Sequence, residues 1–189
     1  NWRLPIDNRG HCQPTVLAWI KRMGYFESSA ARTVKPHRGG GTVRIGGTPD
    51  IPEVLRSLGA DPAAVLAEAG FSLEIFDDPD TLVSFAARNH LMAHCAARTA
   101  CPHFGLLVGE RGGLHSLGLV GLLVKYSPDA GAALRNLVRY AHLHVRGAVA
   151  TLAVDGNSVT LGYEIYQSKV EATDQIGDAA VAVIFNIMR

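Results

Sequence analysis

Residues 134–165, LRNLVRYAHLHVRGAVATLAVDGNSVTLGYEI, decide the fold, because the periodicity of the chain changes within them. Up to His144 the apolar residues keep helical spacing. Ala132, Leu134, Leu137, Val138 and Ala141 fall on one side of a helix that Ser127-Pro128 is expected to open. Further on, Val159, Leu161, Tyr163 and Ile165 alternate with Ser158, Thr160, Gly162 and Glu164, which is the twofold period of a half-buried strand. Val145 to Val154 pairs with it as a hairpin through the cluster Asp155-Gly156-Asn157, where glycine and asparagine accept positive φ.

Upstream, helices follow one another closely and are delimited by caps. Asp50 or Thr48 opens the first and Gly59 closes it; Asp61 caps a second, with Pro62 at its first position and Gly70 at its end. The same device at Asp78-Pro79 predicts a long helix to about Arg98, with Leu82, Phe85, Ala86, Asn89 and Ala93 along one stripe. A short helix from His103 to about Val108 follows, then one from Leu117 to Tyr126 capped by Ser116. Downstream, Ala172 to Arg189 reads as a last helix with Ala179, Ala180, Val183, Ile184 and Ile187 turned inward. The expected fold is α+β: a mostly helical single domain with a small antiparallel β-hairpin or sheet.

A chain of 189 residues buries one good core, and its hydrophobic and charged fractions of 48% and 19% are those of ordinary globular proteins. The net charge of +1 hides an asymmetry. Arg3, Arg9, Lys21, Arg22, Arg32, Lys35, Arg38 and Arg44 face only Asp7 and Glu27 before Gly47, and the run Gly39-Gly40-Gly41 lies among them. Residues 1–41 therefore read as a basic flexible extension, and 42–189 as the domain proper. No apolar stretch approaches the roughly 18 residues of a membrane span, and none has the pattern of a secretion signal. Cys12, Cys95 and Cys101 form an odd set without a CxxC pair, as expected of reduced thiols in the cytoplasm.

Several constellations have a plainer reading beside the chemical one. His90 and His94 lie four apart on one helix, close in sequence to His103, and could serve a small metal-dependent hydrolase; they lack the glutamate of a zinc-peptidase motif. Ser116 resembles a nucleophile-elbow serine, but its first glycine is three residues back, and a helix cap explains it. Gly105, Gly109 and Gly113 form no phosphate loop, and close helix packing accounts for them. Glu53 to Gly70 has the outline of a helix-turn-helix. No lysine or arginine occurs between Ser57 and Ala87, whereas Asp61, Glu68, Glu74, Asp77, Asp78 and Asp80 do, so this part is not built to approach phosphates.

The polar residues where helix gives way to hairpin are more suggestive. Pairing about Gly156 would set Ala148 opposite Glu164 with Arg146 as its diagonal neighbour on the same face, and Tyr140, His144 and Tyr163 lie nearby. Convergent polar groups at such a junction suit a small-molecule pocket, so Tyr140, His144, Arg146, Tyr163 and Glu164 are the candidate ligand-binding residues. No catalytic residue, metal or cofactor is assigned.

The blocks 55–62 (LRSLGADP), 102–106 (PHFGL), 116–118 (SLG), 134–140 (LRNLVRY), 144–148 (HVRGA) and 185–189 (FNIMR) resemble, in this order, the N-terminal effector domain, called arabinose-binding-like, of AraC/XylS-type bacterial regulators. The resemblance spans residues 42 to 189. It implies an effector-sensing domain followed by a linker and two helix-turn-helix motifs that read DNA. Such a domain performs no chemistry; its partners would be an unknown small-molecule effector, a second copy in a homodimer, and DNA through a C-terminal domain beyond Arg189. A pure dimerisation module is the other alternative. The chain starts without methionine and stops within a helix, so both ends are expected to be truncations.

Overall fold

Caps and glycines set the helix boundaries of the first half as the residue types require. In the computed structural model, which describes residues 40–156, 158–168 and 170–189, helix α1 spans Ile51–Ser57 and α2 spans Pro62–Glu68. The Asp61 carboxylate accepts the Ala63 N–H at 3.1 Å, and Gly59 and Gly70 take up positive φ (76° and 79°) just past the two helix ends. Thr48 does not cap α1; its hydroxyl donates to the Ile45 carbonyl. The basic extension expected over residues 1–41 falls, apart from Gly40 and Gly41, outside the described residues.

One expected element is replaced. Residues Leu82–Ser84 form strand β2, antiparallel to β1 (Thr42–Arg44), and the long helix α3 begins only at Phe85 and runs to Arg98. Asp78-Pro79 makes a turn instead of a helix start: the Asp78 carboxylate accepts the Asp80 N–H at 2.9 Å. Ser84 supplies the cap of α3, accepting from the Ala87 N–H. With the helix starting later, its buried face is Phe85, Arg88, Asn89, Leu91, Met92 and Cys95, while Leu82 and Ala86 are exposed.

Helix α4 (Phe104–Arg111) leads through a 3-10 turn at Leu114–Leu117 to α5 (Leu119–Lys125) and α6 (Ala130–Tyr140). Ser116 belongs to that turn, its hydroxyl accepting the Gly113 N–H, and α6 is capped by Asp129 rather than by Ser127. Strands β3 (Ala148–Asp155) and β4 (Ser158–Ile165) form the hairpin, and α7 (Thr173–Met188) closes the fold. The ladder ends on the pair Asp155 with Ser158, so two residues close the turn. That register differs by one from pairing about Gly156. Ala148 faces Ile165, and Glu164 faces Val149 on the outer side, because a one-residue slip exchanges the faces of a strand. Seven helices and two two-stranded antiparallel sheets among the described residues make the fold α+β. No helix among them is long and apolar enough to cross a membrane.

The main core gathers α1 and α2 against α3 and α4 through Leu55, Leu66, Leu91, Met92 and Phe104. Cys95 and Cys101 are free and buried in it, and burial pushes the Cys95 thiol up to about 12. Helices α4 and α7 cross with almost no space between their backbones. A Cβ at Gly105 would run into the Gln175 carbonyl, and one at Gly109 into the Ala179 carbonyl. Amide side chains of α7 hold both ends of α4. Gln175 accepts the Gly105 N–H (2.8 Å) and donates to the Pro102 carbonyl (2.7 Å), while Asn186 donates to the carbonyls of Glu110 (2.7 Å) and Gly112 (2.9 Å).

Candidate functional site

An adjoining side of α7 meets the inner face of the hairpin, and there the packing is incomplete. A cavity of about 100 Å³ is lined by Ile176, Ala180, Val183, Ile184 and Ile187 of α7, by Ala150, Leu161 and Tyr163 of the hairpin, and by Leu137 of α6. Val43, Thr48, Arg88, Ser116, His144 and Val145 also stand in its wall. Strand register aims these residues inward: Ala150 pairs with Tyr163 and Leu152 with Leu161 on the face opposite Glu164. His144 is brought in by the backbone around β1, where the Arg44 N–H donates to the His144 carbonyl and Val43 bridges Val145.

Arg88 arrives from α3. One turn earlier Phe85 is fully buried against Gly147, where the backbone has φ 141° and a Cβ would strike the ring. This contact fixes the rotation of α3 and turns Arg88 into the cavity, 5% exposed, with its guanidinium 5.5 Å from the centre of the Phe85 ring. Among the described residues no carboxylate pairs with it, and its Nε has no hydrogen-bond partner. The Tyr163 hydroxyl lies against it; burial raises that phenol's pKa, with Arg88 acting the other way, so the ring stays neutral and is no counter-ion. A cation–π contact contributes about 2 kcal/mol when desolvated. Burying an unpaired ion costs more than that. Burial lowers the Arg88 pKa, but a guanidinium keeps its proton at neutral pH.

His144 feels the same surroundings. Burial, then the charges of Arg88 and Arg44, push its imidazole down to about 4, so it is neutral at pH 7, and its buried Nδ1 has no partner. The remaining polar groups of the lining are engaged locally, Thr48 with Ile45 and Ser116 with Gly113. Two nitrogen-bearing side chains, Arg88 and His144, are therefore left with buried unpartnered atoms beside a mostly apolar space. Among the described residues, no acidic one lines it.

Of the five candidates from the hairpin junction, His144 and Tyr163 line this cavity. Tyr140 packs instead beside Val120, Val124 and Leu137, with the Arg139 guanidinium over its ring. Glu164 is exposed on the outer face. Arg146, also exposed, lines an adjoining groove together with Arg44, His142 and His144. Sequence reasoning missed Arg88, since a cation inside an apolar stripe reads as the edge of that stripe. Its place one turn after Phe85 and three before Leu91 was the available signal.

Of the three candidate metal ligands, His90 and His94 have carboxylate partners. His94 Nε2 is 3.0 Å from Glu68, which also pairs with Arg98, and His90 Nδ1 is 3.2 Å from Glu171. His103 is buried at the start of α4. The described residues hold no group of three or more His, Cys, Asp or Glu side chains arranged for a metal ion.

Comparison with known proteins agrees with this architecture. Residues 59–189 match the family described as the arabinose-binding domain of AraC transcription regulator, N-terminal. Over 115 residues the chain is 28% identical to the HTH-type transcriptional regulator VirS of Mycobacterium tuberculosis, in strains CDC 1551 / Oshkosh and ATCC 25618 / H37Rv alike. The match covers 60% of this chain and 34% of the relative, so the chain spans about a third of the length of these curated relatives. With more than half of its length matched, the chain belongs to the family of N-terminal arabinose-binding domains of AraC transcription regulators.

Proposed function

We propose that this domain senses a small-molecule effector in the cavity beneath α7 and passes its occupancy to a helix-turn-helix DNA-binding domain of the same regulator. The observation that carries the reading is the cavity itself: an apolar space with few convergent polar groups, walled by a helix and a hairpin. His144 and Tyr163 contact the effector, and the groove bearing Arg146 offers its way in. A ligand biases such a regulator only through different affinities for two arrangements of the protein. The side chains of α7 that line the cavity are the natural place for that difference. The domain acts without catalysis, in the cytoplasm, and as a homodimer matched to paired DNA half-sites.

The dimeric state draws support from α5, whose Leu119, Leu122, Leu123 and Tyr126 are all exposed. The same row would suit a pure dimerisation module. Thermal unfolding of the chain with a panel of small acids, amides, sugars and amines separates the readings. A ligand at a hundred times its dissociation constant stabilises by about 2.7 kcal/mol. Stabilisation by a member of the panel, abolished in Ala180→Leu, which fills the cavity, is the expected result. Self-association with no response to any compound would reject sensing and leave dimerisation alone.

A further inference from the structure

We propose that the ligand of this cavity is a small apolar monocarboxylate, its carboxylate paired with Arg88 and accepting a hydrogen bond from the Tyr163 hydroxyl. This rests on the reading of the cavity as the effector site and specifies what occupies it.

The argument is one of charge and fit. Two arginines act on His144, but Arg44 is already matched by Asp80 at 2.7 Å, which leaves Arg88 as the unmatched charge. It lies 5% exposed against a cavity without an acidic wall, and its Nε is unpartnered. An incoming carboxylate supplies the missing counter-ion in the planar geometry a guanidinium prefers. The Tyr163 hydroxyl and the neutral His144 ring add donors without adding charge.

The rest of the lining fixes the body of the ligand. Ile176, Val183, Ile184, Leu137 and Leu161 offer no polar atom from their side chains. A sugar would leave several hydroxyls unbonded against them, because the lining carries few polar side chains. A phosphate would bring a second charge that a single guanidinium leaves uncompensated. As for size, about 100 Å³ is smaller than the roughly 150 Å³ apolar cavity known to admit benzene, so the ligand is a short acid of at most about five carbons, part of which extends into the adjoining groove that shares Leu117, Val120 and His144.

The test is titration calorimetry on the whole chain with three probes: 3-methylbutanoate, 3-methylbutanamide and inorganic phosphate. The acid is expected to bind about ten- to a hundredfold more tightly than the amide, the ratio a charge-assisted hydrogen bond supplies, and phosphate not to compete. Arg88→Met should erase the preference while the amide still binds. Tyr163→Phe, which keeps the ring, provides a second variant should Arg88→Met unfold; it should weaken the acid more than the amide. Equal binding of acid and amide, no binding of the acid, competition by phosphate, or a preference that survives Arg88→Met overturns the assignment. The two levels of the account fail separately. A neutral amide binding as well as the acid, and blocked by Ala180→Leu, removes the anion and leaves the effector cavity standing. Acid binding undisturbed by Ala180→Leu removes the cavity as the site.

Discussion

Helix α7 has two sides that meet the rest of the molecule in opposite ways. Toward α4 the contact is sealed: glycines bring the backbones together, and the amides of Gln175 and Asn186 satisfy the groups exposed at both ends of the neighbouring helix. Toward the hairpin the contact is open, with a cavity and with buried nitrogens of Arg88 and His144 that have no partner among the described residues. One side has the density of a finished core, although the buried His103 Nδ1 at the start of α4 is without a partner among the described residues; the other has room for something to enter. The difference separates what holds the fold from what is free to respond.

The largest expected effect comes from breaking the sealed side. Gly109→Leu forces a side chain into the Ala179 backbone and should cost about 3 kcal/mol in urea unfolding, the upper end of what overpacking does. A loss below about 1 kcal/mol would mean that the two helices separate easily. Gln175→Leu is milder. It leaves the Gly105 N–H and the Pro102 carbonyl without their side-chain partner and should cost about 2 kcal/mol by the same measurement.

On the open side the sign reverses. Arg88→Met removes an uncompensated buried charge, so the unliganded protein should keep its stability or gain about 1 kcal/mol. A thermal midpoint lowered as far as that of Gln175→Leu would show that Arg88 belongs to the framework instead. The remaining effect is in pH. The folded-state pKa of His144, about 4, lies below the ordinary 6.5, so the unfolded chain takes up this proton first as pH falls. Its contribution to stability is complete above pH 6.5 and is lost progressively toward 4. Wild type should therefore lose more stability between pH 7 and pH 5 than His144→Gln, and parallel curves for the two would contradict this environment for the ring.

How much of this was legible in the sequence follows the same division. The sealed framework announces itself locally, Asp61-Pro62 with Gly70 marking α2; the inward stripe of α7 also reads directly from its spacing, although most of it lines the open side. Asp78-Pro79 is the same pair of residue types, yet the chain after it pairs with β1 in the register Thr42 with Ser84, and no local signal competes with a non-local ladder. The open side was half visible. His144 and Tyr163 were identified as polar residues near a turn of the chain, whereas Arg88 depends on how Phe85 seats against Gly147, a contact between distant segments. Arg146 and Glu164 were drawn together by a hairpin register one residue from the true one, and such a shift exchanges inside for outside.

Hydrogen exchange followed by mass spectrometry, with and without saturating 3-methylbutanoate, tests the central claim most directly. Slower exchange in α7 and in the β3–β4 hairpin, with α1 and α2 unchanged, is the result expected if the open side of α7 receives the ligand. Protection spread evenly over the chain, or confined to α1 and α2, would contradict it.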